Sequence, residues 1–218
     1  MNRRYFRKRR KTSKLKEILL THIENNLREY TVITIIFFIG IIIGVIFINN
    51  ISAEQKTEIN NYISSFITNL KEDGNINEFA LLKDSISKNC VLAIFLWFMG
   101  STIIGISLVY LTICFRGFCL GYTISSIILT CGIGKGIVFL ASTILLQNIF
   151  FIPCIISLAV SGMKLHNSIM RDKRRENIKL EILRHTLFSA FLLIILIISS
   201  MIEVYVSKNI LMLILKYI

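Results

Sequence analysis

The stretch that decides the fold class is residues 109–162, which read VYLTICFRGFCLGYTISSIILTCGIGKGIVFLASTILLQNIFFIPCIISLAVSG. It consists of long apolar runs in which the only charged residues are Arg116 and Lys135. An amphipathic helix of a soluble protein needs a polar face, and these runs leave no residues to form one. The stretch therefore predicts membrane-spanning helices joined by tight turns, with Arg116 and Lys135 in turns at opposite membrane interfaces.

The composition of the whole chain supports the same class. The 218 residues are 54% hydrophobic, and the mean hydropathy is +0.68, values that are typical of a membrane protein. The net charge is +12, but the basic residues are concentrated between the apolar runs. This distribution indicates contact with lipid headgroups, and no nucleic-acid-binding motif accompanies it.

The hydropathy pattern predicts an all-α polytopic membrane protein with five transmembrane helices, at residues 31–48, 90–114, 118–133, 136–162 and 186–206. Four segments flank or connect them: a basic cytoplasmic N-terminus with an amphipathic helix (1–30), an extracytoplasmic helical loop (49–89), a basic cytoplasmic loop (163–185) and an extracytoplasmic tail (207–218). With the N-terminus inside, cytoplasmic segments hold 18 Lys and Arg residues and outer segments hold 7. The positive-inside rule then places the C-terminus outside.

The outer loop carries a helical pattern of its own. Apolar residues recur at helical spacing from Ile59 to Leu70, and Asp73-Gly74 is a typical helix stop. Asn77 is a candidate N-cap for the helix that leads into the next span.

A few polar residues and glycines stand out inside the apolar runs. Gln147 and Asn148 need hydrogen-bond partners across a helix interface, either as interhelical glue or as part of a polar binding site or pathway. Pro153 predicts a bend. Glu203 lies near the outer end of the last span and can reach water, which leaves a proton-relay role as a minor alternative.

Two GxxxG pairs, Gly40/Gly44 and Gly117/Gly121, permit close helix contact. They also make homodimerisation an option for this chain.

The chain contains no recognisable catalytic apparatus. Its five cysteines lie in or beside apolar runs without a CxxC pair, and its three histidines are not at metal-ligand spacing. No phosphate-binding loop or nucleophile elbow is present. The sequence therefore predicts a protein that is not an enzyme and has no cofactor or metal; an intramembrane enzyme is the weakest alternative.

The motifs between residues 109 and 162 resemble the stage II sporulation protein M family. The resemblance rests on Phe115-Arg116-Gly117-Phe118, Gly121-Tyr122-Thr123, Gly134-Lys135-Gly136, Gln147-Asn148 and Pro153. It extends over nearly the whole chain through the basic N-terminus, the five spans, the long outer loop and the basic loop. One departure is Leu146, where relatives commonly carry a proline.

The resemblance implies a protein of the bacterial cell membrane, located in the mother-cell membrane that engulfs the forespore. Family members hold two peptidoglycan hydrolases, stage II sporulation proteins D and P, at the septal membrane, and the cell-wall chemistry belongs to those partners. From periodicity and topology we predict that the partners dock on the outer-loop face formed by Tyr62, Ile63, Phe66 and Ile67. The alternative function is a small transporter or permease subunit with a polar route through Gln147, Asn148 and Glu203.

Overall fold

We analysed a computed structural model that describes residues 23–24, 26–73, 77–102, 104–141, 144, 146–171, 178–207 and 209. These residues form seven α-helices and no strands. The helices are α1 (Leu27–Asn50), α2 (Ala53–Asp73), α3 (Glu78–Gly100), α4 (Gly105–Cys131), α5 (Ile133–Leu140), α6 (Leu146–Arg171) and α7 (Ile178–Ile202), and a π-helical turn, Glu203–Ser207, follows α7. The all-α prediction is confirmed for this part of the chain.

Side-chain caps define where helices α2 and α3 begin. At the start of α2, the Gln55 backbone N–H donates to the Ser52 hydroxyl at 3.3 Å and the Ser52 N–H donates to the Gln55 side-chain oxygen at 3.2 Å, a capping box. The predicted N-cap of α3 is confirmed, because the Asn77 side-chain oxygen accepts from the Ala80 N–H at 3.2 Å. Helix α2 is described as far as Asp73, and the stop expected at Asp73-Gly74 stays a prediction.

Within the part of the chain that the structure describes, four helical segments are long and apolar enough to cross a membrane: Leu27–Asn50, Gly105–Cys131, Gln147–Met170 and Ile178–Val206. The five-span count is thus not confirmed. The predicted span at 90–114 is divided between α3 and α4, and helix α3 falls short of the criteria because its first half carries charges such as Lys83, Asp84 and Lys88. The predicted amphipathic helix before the first span lies mostly in residues 1–22, outside the described residues, as does most of the tail.

The predicted turn at Arg116 is wrong. Helix α4 runs without interruption from Gly105 to Cys131, so that Arg116 and Gly117 lie near its middle. The break between helices falls earlier in the chain, because α3 ends at Gly100 and α4 begins at Gly105. The hydropathy pattern misplaced the turn because a charge beside a glycine resembles a loop in one dimension, whereas here Gly117 serves helix packing.

The predicted single helix at 136–162 is described in parts. Helix α5 carries Lys135 and Gly136, residues Ala141 and Ile144 are π-helical, and helix α6 extends from Leu146 past residue 162 to Arg171. Gly132 joins α4 to α5 with φ of +77°, a backbone conformation that favours glycine. Lys135 is therefore exposed in a helix that begins directly after the bend at Gly132. This position is close in the chain to the turn that the sequence predicted.

The two GxxxG pairs pack against each other within one chain. Gly40 and Gly44 of α1 face Gly117 and Gly121 of α4, and helices α1 and α4 run parallel. A Cβ at any of the four glycines would collide with a backbone carbonyl oxygen of the facing helix, those of Cys114, Phe118, Phe37 and Ile41. This packing removes the reason for expecting a homodimer, because the glycine surfaces are already used.

Helix α6 is the centre of the bundle. Of the residues in the apolar 18-residue stretch of its candidate span, 61% are buried inside the molecule, against 28–33% for the other three candidate spans. At one end of the bundle it is tied to three neighbours: the Tyr30 hydroxyl donates to Ser157 at 3.1 Å, His185 Nδ1 lies 2.8 Å from the Ser161 hydroxyl, and His166 Nδ1 lies 2.9 Å from the Thr102 carbonyl oxygen.

Helices α3 and α7 lie side by side and antiparallel. Three hydrogen-bonded pairs along their length establish this arrangement: Ser85 with Glu203, Asn89 with Ser200, and Trp97 with Thr186. Helix α3 therefore follows the apolar helix α7 over most of its length.

Candidate functional site

A polar cavity of about 240 Å³ lies between α4 and α6; we call it the α4–α6 cavity. Each helix contributes side chains at spacings of three and four residues, which places them on one face. Its wall on α4 is formed by Arg116, Cys119, Leu120 and Thr123, and its wall on α6 includes Gln147, Asn148 and Phe151. Asn89 of α3 and Phe37 of α1 complete the lining.

Arg116 is the cationic residue of this cavity. It is half-buried, and its guanidinium carbon lies 5.1 Å from the centre of the Phe151 ring, a cation–π contact. Among the described residues, carboxylates form ion pairs only with Lys88 and Arg184. The cavity thus presents a positive charge in a membrane span without a carboxylate partner.

Glu203, at the far end of α7, lies in a network of neutral donors. Its Oε2 atom accepts from the Ser85 hydroxyl of α3 and from the Gln147 side-chain amide of α6 at 2.7 Å. The network joins three helices through one half-buried carboxylate. A charged acceptor strengthens such hydrogen bonds to about 1.5–3 kcal/mol each.

The two amides predicted as interhelical glue play different roles. Gln147 bridges helices through Glu203, and its backbone carbonyl also accepts from the Ser199 hydroxyl at 3.1 Å. The Asn148 side chain instead donates to the Ile144 carbonyl at 2.8 Å, within its own turn, and faces the cavity. Gln147 and Glu203 are thus in contact, and Gln147 and Asn148 share the cavity wall.

Sequence reasoning missed several polar residues of this region. Ser85 and Asn89 lie four residues apart on α3, in a segment assigned to the outer loop, and both are buried. Ser199 and Ser200 of α7 are fully buried. The available signal was the spacing of four between Ser85 and Asn89, which places two polar side chains on one face of a helix that leads into an apolar run.

The predicted docking face on α2 is divided between two roles. Ile63 and Ile67 are half-buried and pack against Ile127, Phe139 and Leu140 of α4 and α5, so they belong to the fold. Tyr62 and Phe66 are 76% and 49% exposed.

Tyr62 and Phe66 line an apolar groove of about 510 Å³ between α2 and the α4–α5 corner; we call it the α2 groove. The Thr130 hydroxyl donates to the Asn60 side-chain oxygen at 2.7 Å and fixes α2 in place. Of the predicted docking residues, only Tyr62 and Phe66 remain available to a partner.

Pro153 lies inside α6, two turns after the helix begins. It has no N–H to continue the helical ladder, so the bend expected there stays a prediction. The departure at Leu146 falls on the first residue of α6.

The chemistry offered by these sites is binding. No group of three or more His, Cys, Asp or Glu residues in the described part of the chain could hold a metal ion. The α4–α6 cavity offers a cation with amide and hydroxyl groups, and the α2 groove offers apolar and aromatic surface.

Comparison with known proteins identifies a family and a relative that are similar to this chain. The family model described as stage II sporulation protein M matches residues 33–208. An uncharacterized protein of Methanocaldococcus jannaschii is 30% identical over 179 residues, which cover 80% of this chain and 91% of that protein. No solved structure matches.

Proposed function

Because this chain belongs to the stage II sporulation protein M family, we propose that it is a non-enzymatic membrane scaffold for peptidoglycan remodelling. It recruits and positions peptidoglycan hydrolases, stage II sporulation proteins D and P, during engulfment of the forespore. Its place is the mother-cell septal membrane, which it enters as a multi-pass protein. Binding energy from its outer surface holds the enzymes at one location, and the hydrolytic chemistry is theirs.

The α2 groove is the observation that supports recruitment. Helix α2 has a polar outer surface, and yet it exposes Tyr62 and Phe66 beside the aromatic residues Tyr122 and Phe139. Clustered, exposed apolar and aromatic side chains are typical of protein-binding surfaces. The capping box and the Asn60–Thr130 hydrogen bond hold this surface in a defined orientation.

The recruiting face lies outside the cell if α3 is a fifth membrane-crossing helix, and we include this topology in the proposal. Helices α1 and α4 run parallel, so the chain has to return across the membrane between them. Helix α3 is antiparallel to α7 and pairs with it from Ser85 to Trp97, which gives it the required direction and depth. With Arg116 moved from a loop into a span, the basic residues still favour an inner N-terminus by 17 to 7.

This topology predicts that the residues before α3 and those after it lie on opposite sides of the membrane, so that they differ in accessibility to a reagent that cannot cross it. A cysteine in place of exposed Glu54, at the start of α2, should react with a membrane-impermeant maleimide in intact cells. A cysteine in place of exposed Ser101, at the other end of α3, should react only after permeabilisation. Lys135→Cys, in α5, is a control that should behave like Glu54→Cys. Equal labelling of the Ser101→Cys and Glu54→Cys proteins in intact cells would show that α3 does not cross.

Charges placed in the α2 groove should release the partners. We expect Tyr62→Asp with Phe66→Asp to reduce recovery of the two hydrolases at least about tenfold in detergent co-purification from sporulating cells, because aromatic anchors dominate binding energy. Membrane insertion should be unchanged, since neither side chain belongs to the buried core. Ile67, which packs inside the molecule, is left intact so that folding is not at issue.

The matched control carries the same charges on α2 outside the groove. Asn61 and Ser65 are exposed and do not line the groove, so Asn61→Asp with Ser65→Asp should leave recovery unchanged. If both double variants recover the hydrolases equally, the partners dock elsewhere.

A permease subunit is the second candidate, and the α4–α6 cavity favours it. Gln147 and Asn148 share a cavity within a membrane span, and Gln147 contacts Glu203. For this function, Gln147→Leu or Glu203→Gln should abolish activity in cells while recruitment of the hydrolases persists. Recovery of an ATPase subunit without hydrolases would also favour the permease over the scaffold.

A further inference from the structure

We propose that the α4–α6 cavity is a binding site for the phosphate group of a membrane-resident ligand, with Arg116 as the residue that binds it. The site shares only Thr123 with the lining of the α2 groove, and it differs from that groove in its chemistry. The proposal therefore goes beyond the recruitment of hydrolases and does not depend on it.

The unpaired charge of Arg116 is the first argument. A cation in a membrane span is costly unless an anion or water compensates it. The described residues offer Arg116 the Phe151 ring but no carboxylate within ion-pair distance. An anion that enters the cavity would provide the missing compensation.

The carboxylate of Glu203 is engaged elsewhere. It accepts from Ser85 and Gln147 and is not part of the cavity lining. Within the described part of the chain, the charge of Arg116 is thus left without a carboxylate and is open to a ligand.

The donors around the cavity suit a phosphate group. The guanidinium presents five N–H groups in a planar fork that matches phosphate oxygens. Asn148 uses one amide hydrogen on the Ile144 carbonyl, which leaves the second for a ligand. Donors on the facing walls of α4 and α6 can reach different oxygens of one tetrahedral anion.

The remaining lining points to a lipid as the source of the phosphate. Phe37, Leu120 and Ile152 give the cavity apolar surface. Thr123 of the same wall is exposed on the side of α4, where the cavity meets the surface of the bundle. An acyl or isoprenoid chain could leave the cavity there and remain in the bilayer.

Cys119 provides a direct reporter, because it lies on the cavity wall one turn after Arg116. The experiment uses full-length protein in a neutral detergent and measures alkylation of each cysteine by N-ethylmaleimide with peptide-resolved mass spectrometry. The probes are phosphatidic acid, diacylglycerol with the same acyl chains, and inorganic phosphate. Cys131, outside the cavity, is the internal reference.

We expect phosphatidic acid at ten times its Kd to slow alkylation of Cys119 about tenfold relative to Cys131 by mass action. Diacylglycerol should have no effect, because it lacks the phosphate group. Protection by inorganic phosphate but not by phosphatidic acid would retain the phosphate site and identify a free ion as its ligand. Equal protection by phosphatidic acid and diacylglycerol, or none by any probe, would overturn the proposal.

The matched variants test the role of Arg116. Arg116→Gln should weaken the binding of phosphatidic acid about 10- to 100-fold, the effect of losing charge-assisted hydrogen bonds. Lys135→Gln removes one positive charge outside the cavity and should leave binding unchanged. Undiminished protection of Cys119 in a folded Arg116→Gln protein would overturn the proposal. If that variant does not fold, the comparison of the two lipids on the unaltered protein still decides.

Discussion

Replacement of Gly117 and Gly121 by alanine together is expected to lower the free energy of unfolding by about 3 kcal/mol or more. Each added Cβ would meet a carbonyl oxygen of α1, that of Phe37 or Ile41, so the two helix backbones have to separate. Overpacking against side chains costs about 1–3 kcal/mol per site, and backbone atoms yield less readily than side chains. Thermal unfolding of the detergent-purified protein measures the effect, and accumulation in membranes should fall with it.

Gly134→Ala is the matched control for this prediction. Gly134 lies in α5 and is exposed, and no atom lies within 4 Å of the position that an alanine Cβ would occupy there. Alanine is favoured over glycine in a helix by up to about 1 kcal/mol, so this variant should be neutral or slightly stabilised. If the Gly117/Gly121 double variant is as stable as Gly134→Ala, then α1 and α4 do not meet at these glycines.

Gln147→Leu should destabilise the protein by about 1–3 kcal/mol. The change removes the amide that donates to Glu203 and leaves the half-buried carboxylate with Ser85 as its remaining side-chain donor. A carboxylate deprived of a donor inside a membrane bundle loses more free energy than the leucine gains by apolar contact. Thermal unfolding in detergent measures the loss.

Asn148→Leu, the same substitution one residue later, is the matched control. Among the described residues its amide donates within its own turn, to Ile144, so the expected loss is below about 1 kcal/mol. A double-mutant cycle of Gln147→Leu and Glu203→Leu should show a coupling of about 1–3 kcal/mol. Additive effects would mean that the Gln147–Glu203 hydrogen bond does not stabilise the bundle.

These two predictions show which features are visible in the sequence and which are not. The glycine pairs are recognisable as close-packing elements, because a pattern of small residues at a spacing of four is visible in one dimension. That Gly40 and Gly44 face Gly117 and Gly121 of the same chain is not visible there, since partner choice depends on how α3 returns the chain across the bundle. The sequence left a homodimer as an option because it does not show which glycine pairs face each other.

Arg116 illustrates the same limit. Hydropathy assigns it to a turn, because a charge in an apolar run is most simply placed at an interface. The structure keeps it in the middle of α4, where Phe151 of another helix contacts it and a cavity gives it room. Side chains from α6 provide this environment, and no local pattern around residue 116 encodes them.

The sequence by itself determined the all-helical class, the membrane character and the family, because apolar length, charge distribution and short motifs are properties of the linear chain. It also determined the local start of α3 at the Asn77 cap. Only the tertiary structure decided that Glu203 binds Ser85 and Gln147, that Ile63 and Ile67 belong to the core, and that Arg116 faces a cavity. The physical reason is that these properties depend on residues from three or more helices meeting at one place.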